Sequence, residues 1–202
     1  DANANLIAGD DGADTLYDHA GDDRLAAGGW SILNYDEDTT STLNNVNDID
    51  NNDNAELYGG PDNDVLYGSS GDNMLDGGTG TDTIWSGAGF DTIVIRSGDG
   101  STTLANADVL RDFSDGNDVI GMDSVSFDDL TIAQGTGDYA SHTLVTLTSS
   151  GEYLLIVQNV TASNITAPDF ASTSTSSQSF TGDNNNNTFI GGAGNDTFSG
   201  SS

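Results

Sequence analysis

A nine-residue unit recurs at a fixed step along this 202-residue chain, and it limits what the chain can fold into more than any other feature. The unit reads GGTGTDTIW at 77–85 and is flanked by GGPDNDVLY (59–67), GSSGDNMLD (68–76) and SGAGFDTIV (86–94). Two copies stand near the start, GDDGADTLY (9–17) and DHAGDDRLA (18–26), and two near the end, GDNNNNTFI (182–190) and GGAGNDTFS (191–199). The eighth position is apolar in every copy: Leu16, Leu25, Leu66, Leu75, Ile84, Ile93, Phe189 and Phe198. The sixth is Asp in six copies and Asn in two, Asn73 and Asn187. A unit this short cannot enclose a core by itself, so the copies must stack.

The first six residues of each unit are turn chemistry, rich in Gly where the backbone needs positive φ or close approach. The last three form a minimal strand whose central residue points inward. Such strands are too short for useful hairpins. They suit a flattened solenoid in which successive units alternate between two parallel sheets, so that units two steps apart stack about 4.8 Å from each other. One buried apolar side chain per nine ordered residues does not offset the conformational entropy lost. The stacked position-six carboxylates also repel one another. A hard cation between stacked turns removes both difficulties, because carboxylate oxygens and turn carbonyls are the ligands Ca2+ takes. Folding and metal binding then become one event.

Composition agrees. Thirty Asp stand against three Glu, with three Arg, no Lys and no Cys. A merely acidic surface would use both carboxylates; the Asp bias points to turns and hard-metal ligands. A formal charge of −30 excludes nucleic acid and anionic membranes as natural partners and predicts a swollen, disordered metal-free state. Without Cys there is no disulfide and no thiolate zinc site, so calcium takes the part of the staple. No segment reads as a secretory leader or is long and apolar enough to span a membrane.

No catalytic constellation emerges, and the chain reads as non-enzymatic. His19 and His142 fall in different modules, and the HExxH, GxSxG and P-loop motifs are absent. Carboxylate pairs are so numerous that none singles out a glycosidase site.

The pattern divides the chain. Residues 1–27 form a first repeat block, and 28–54 an Asn/Asp-rich insertion expected as a solvated loop. Residues 55–96 form the main block, entered through AELY (55–58) with Leu57 inward. From 97 to 170 the step fades into alternating strands, LTIAQ (130–134), HTLVTLT (142–148) and EYLLIVQNV (152–160), with Ser149-Ser150-Gly151 as a hairpin connection. This region is expected to be an antiparallel β cap that shields the open end. A polar linker (171–179) leads to a further block, 180–202. The fold class is therefore all-β, a parallel roll of nonapeptides with an antiparallel cap.

The GGxGxD pattern followed by an apolar strand resembles the calcium-binding repeats of RTX (repeats-in-toxin) exported proteins. The eight copies that carry it cover about seventy residues. DVLRDFSDGNDVIGMD (108–123) is similar to the stretch that ends the roll in serralysin-type proteases and related exported proteins. The resemblance implies a parallel β-roll, several Ca2+ ions between same-side turns, and type I secretion as an unfolded chain. Carried over residue by residue, it implies that Asp64 shares an ion with Gly78 and Gly80, beside Gly60 and Asp62 of its own turn. Asn73, with Gly71, faces Gly87 and Gly89; Asp82 faces the degenerate turn at Gly98 and Gly100; Asp91 finds partners near Asp108. Asp112, Asp115 and Asp118 are further candidates, with end-covering by Phe113, Val119 and Ile120 a compatible role for the same stretch. The first block contributes Gly12, Asp14, Gly21, Asp23 and Gly28, and the last Gly192, Gly194 and Asp196. Asp62 and Asn185 replace the expected Gly, and Asn73 and Asn187 the acid, so those turns bind weakly or act as spacers.

The expected function is a calcium-gated folding and export module of a larger secreted or surface protein. Alternative settings are a structural subunit of an adhesin, surface layer or filament, assembling head-to-tail through half-sites at Asn3/Asn5 and Asn187/Asp196, or an accessory module binding polysaccharide through calcium. Tyr17, Tyr58, Tyr67 and Trp85, at position nine, bear on the last.

Overall fold

A computed structural model describes residues 6–9, 15–17, 24–27, 54–174, 179–181, 195 and 197–199. The last three residues of successive units become strands: β1 (Leu6–Ala8), β2 (Thr15–Tyr17), β3 (Arg24–Ala26), β4 (Glu56–Pro61), β5 (Val65–Tyr67), β6 (Met74–Thr79), β7 (Thr83–Trp85) and β8 (Thr92–Arg96). Even-numbered strands enter one sheet, in the order β2-β4-β6-β8, and odd-numbered strands the other, in the order β1-β3-β5-β7. All these pairings are parallel, and Leu57 meets Leu75, Leu66 meets Ile84 and Leu75 meets Ile93. This is the alternating solenoid that the nine-residue step requires: a parallel β-roll.

The register survives the insertion. Leu16 pairs with Leu57 and Leu25 with Leu66, although residues 28–53, which lie outside the described residues, intervene. Leu25, Leu57, Leu66, Leu75, Ile84 and Ile93 are all buried and form an inward column shared by both sheets. Position nine points outward. There Tyr17 stacks on Tyr58 at 4.5 Å and Tyr67 on Trp85 at 4.9 Å, with Arg111 over the Trp85 ring.

The region expected to be an antiparallel cap is only partly so. β9 (Asp108–Leu110) and β10 (Val119–Asp123) continue the roll in parallel, β9 on β7 and β10 on β8. Leu110 and Ile120 are buried in line with the earlier column, so the parallel register persists although the connections have lengthened. Antiparallel pairing begins with β11 (Leu130–Gln134), β12 (Thr143–Leu147) and β13 (Glu152–Val157), the three strands read from alternation. β13 joins β9 in parallel, and β14 (Phe170–Ser172) joins β10. Hairpin and roll therefore share one sheet, of order β1-β3-β5-β7-β9-β13-β12-β11. β15 (Ser179–Thr181) and β16 (Thr197–Ser199) form a separate parallel pair in which Phe180 meets Phe198, the same stacking step again. Helical segments among the described residues are three-residue 3-10 turns.

Candidate metal centre

Turns between strands line the two long edges of the roll. Residues 59–64 and 77–82 stack on one edge, and 68–73 and 86–91 on the other. The stacking leaves no room for side chains. A Cβ at Gly78 would collide with the Gly60 carbonyl, one at Gly80 with the Asp62 carbonyl, and at Gly87 and Gly89 with the carbonyls of Ser69 and Gly71. Gly78 and Gly87 also take φ of +91° and +94°, which favours Gly on conformational grounds. The carbonyls of one turn thus face the next turn along the edge. Asp62 takes a left-handed φ of 82° where a Gly was expected.

The position-six side chains build a ladder between coils. On the first edge the Asp64 amide donates to Asp82 Oδ1 at 2.8 Å, and the Asp82 amide to Asp108 Oδ1 at 2.9 Å. On the second edge the Asn73 amide donates to Asp91 Oδ1 at 2.8 Å, and the Asp91 amide to Asp118 Oδ1 at 3.3 Å. One oxygen of each acid is therefore committed to holding the preceding coil. The other oxygens of Asp82 and Asp91, Oδ2, are buried and accept no hydrogen bond, in residues that are 0 % exposed. A carboxylate oxygen left so is costly unless a cation completes it.

Electrostatics say the same. Burial, the largest cause, pushes Asp91 up to about 7, and the charges of Asp118 and Asp112 add to it against hydrogen bonds from Asn73. Burial also raises Asp82 and Asp108, and the Asp82 charge adds to the rise in Asp108. Asp112 and Asp118 are raised by burial too. Burial thus disfavours the charged form of each of these groups, and a bound divalent ion reverses that preference. Among the described residues no three His, Cys, Asp or Glu side chains are placed to hold a metal by themselves, so turn carbonyls must complete any coordination sphere. Carbonyl plus carboxylate is an all-oxygen, hard-cation donor set, and it fits Ca2+.

Asn73 shows what a position without the acid does. Its Nδ2 donates to the Gly71 carbonyl at 2.6 Å and to Asp91 Oδ1 at 3.1 Å. An amide donor thus stands between the turn carbonyl and the next carboxylate.

The structure brings some expected partners together and separates others. Asp64 lies in the turn beneath Gly78 and Gly80, and Asn73 beneath Gly87 and Gly89, as the carried-over map has it. Asp91 does not meet Asp108. The connection between β8 and β9 is long, so Asp108 follows Asp82 on the first edge, and Asp118 and Asp112 reach Asp91 on the second. The amides of Gly98 and Gly100 donate to Glu152 Oε1, at 2.8 and 3.0 Å. Asp112 accepts the amides of Ser86 and Gly87, and Asp115 is exposed at the tip of the following loop. Gly12, Asp14, Gly21, Asp23, Gly28, Gly192, Gly194 and Asp196 lie outside the described residues.

Sequence reasoning missed a second ladder at position five. Asn54, Asn63 and Asp72 each accept the amide of the residue eighteen further on, Asp72, Thr81 and Phe90 respectively. The recurrence of Asn or Asp immediately before position six was the available signal. It also missed Asp76, Asp99 and Glu152. Glu is rare enough in this chain that Glu152 was worth singling out.

Fold and edge chemistry define a class: a parallel β-roll of stacked nonapeptides with hard-cation donors along its edges. The sequence profile of the RTX calcium-binding nonapeptide repeat, in four copies, matches residues 1–29, 58–93 and 179–202. The chain carries RTX calcium-binding nonapeptide repeats, and such repeats bind several Ca2+ ions. No curated protein matches the chain in a sequence search.

Proposed function

We propose that this chain carries a calcium-gated folding module, its repeat coils held unfolded at low calcium and ordered outside the cell as part of a secreted or surface protein. The observation that supports it most is the pair of buried, unpartnered carboxylate oxygens on Asp82 and Asp91, one on each edge of the roll. Asp64 and Asp82 serve the first edge with the carbonyls of Gly60 and Asp62. Asp91, Asp112 and Asp118 serve the end of the second. Extracellular calcium sites have affinities of about 0.1–1 mM. At tenfold excess over such a site each ion contributes about 1.4 kcal/mol, and several ions acting together carry the transition. Among the described residues no helix is long and apolar enough to cross a membrane.

Circular dichroism through a calcium titration, with metal counting by mass spectrometry, tests the reading. A cooperative gain of β signal with several ions bound is expected. A full β spectrum in EGTA would falsify the gating.

A further inference from the structure

One cation inside the roll is covalent. Arg96, at the end of β8, donates from Nη1 to Asp76 Oδ1 at 2.9 Å and to Asp99 Oδ2 at 3.0 Å. Its Nε donates to Asp123 Oδ2 at 3.0 Å, and Nη2 pairs with the second oxygen of Asp76. Asp76 lies in β6, Arg96 in β8 and Asp123 in β10, so one guanidinium ties three successive strands of a sheet, and Asp99 adds the turn that follows β8. The planar fork suits this, since it presents several donors at fixed angles where a Lys would present a point charge.

The same turn is closed from its other side by an anion. Glu152 Oε1 takes the amides of Gly98 and Gly100, and Ser101 forms a two-way backbone bridge with Tyr153. A Cβ at Gly100 would strike the Tyr153 carbonyl, so β13 lies directly against the turn. In the repeats, turn carbonyls and orphaned carboxylates face one another and need a foreign cation. Here the amides point at a carboxylate and the carboxylate of Asp99 points at a guanidinium.

We infer that the turn Ser97–Ser101 is a metal-free closure in which Arg96 takes calcium's place, so that β10 and the β11–β13 hairpins stay assembled when calcium is withdrawn. This rests on the calcium-gated reading for the coils before it. The chain is then divided at Arg96 into a calcium-dependent stretch, 59–91, and a calcium-independent one in which Arg96 keeps Asp99 and Asp123, comprising β10 and the β11–β13 hairpins.

Hydrogen exchange of the full chain, read by mass spectrometry at saturating calcium and in EGTA, tests it. In EGTA, amides of 59–91, and those of Val109 and Val119 that donate to the carbonyls of Asp82 and Asp91, should lose protection while those of 120–123 and 152–157 keep it. Arg96→Gln should speed exchange of the second set in EGTA by roughly tenfold or more, with Arg96→Lys intermediate, while calcium restores both. Asp99→Asn should leave the number of bound ions unchanged. Collapse of both sets together in wild-type EGTA samples, indifference of the second set to Arg96→Gln, or loss of an ion in Asp99→Asn overturns the inference. Should Arg96→Gln fail to fold, Asp123→Asn removes one arm of the staple and is read the same way. Persistent protection of 59–91 in EGTA is a different result, and defeats the gating instead.

Discussion

The coils of 59–91 and the hairpins of 130–157 share a sheet and a core but hold themselves together by different means. The shortest coil strands have three residues, and in β7 only the central one, Ile84, is buried. β13 has six residues, five of them buried, and bonds along its length to β12. The coil turns have acids buried in them, such as Asp82 and Asp91, whereas Asp138 in the hairpin loop before β12 is exposed. Apolar burial suffices where strands are long enough to bury several residues each. Where they are not, the chain makes up the difference electrostatically, and the cations come from outside except at Arg96.

The comparison can be broken most directly in the core. Leu75→Ala and Leu155→Ala remove the same buried side chain and should each cost about 3 kcal/mol. The first should appear as a raised calcium midpoint, the second as lower urea resistance of the hairpins in EGTA. Identical signatures would dissolve the distinction between the regions. Next come two glycines. Gly78→Ala, at φ +91° and against the Gly60 carbonyl, should cost on the order of 2–3 kcal/mol in a thermal melt with calcium. Gly137→Ala, at φ +60° with open space around it, should cost about 1 kcal/mol. Comparable losses would mean that turn stacking is not tight.

Asp82→Ala should raise the calcium midpoint roughly tenfold, about 1.4 kcal/mol, while the exposed Asp138→Ala leaves it in place; equal shifts would count against the edge sites. The smallest effect is on pH. Burial raises Asp99, in the part that stays folded without metal, to about 7, so that part binds a proton that the unfolded chain, near pH 4, does not. Stability from this group is fully present below the unfolded value and lost as pH rises through about 7. Urea midpoints in metal-stripped buffer should therefore rise on going from pH 7.5 to 5.5, and calcium should bind more weakly over the same window. A midpoint that falls on acidification would contradict the burial of this acid.

The alternation of units between two sheets, the inward column from Leu57 to Ile93 and the three cap strands were legible because each follows from a period, nine or two, written in the side chains. The glycines of the stacked turns were legible for the same reason. The pairing of Asp91 was not. It depends on how much chain the connection after Arg96 consumes, and periodicity carries no information once the period has lapsed. Nor did the pattern show that residues 108–123 extend the roll, since Leu110 and Ile120 keep their places in space after losing them in sequence. Arg96 and Glu152 were invisible because most of their partners lie twenty or more residues away, Asp76 and Asp123 on other strands for Arg96 and the turn glycines Gly98 and Gly100 for Glu152.

The hydrogen bond from each coil's amide to the acid of the next makes length a quantised property. Adding or deleting eighteen residues leaves every side chain on its sheet and every acid on its edge, whereas nine transfers all that follows to the opposite side. The pairing of Leu16 with Leu57 and Leu25 with Leu66 keeps its phase although the segment between adds no whole number of units, because the coils resume on the sheets they left. A scaffold of this kind tolerates grafts wherever its phase is conserved, and offers an engineer a ruler graduated in whole turns.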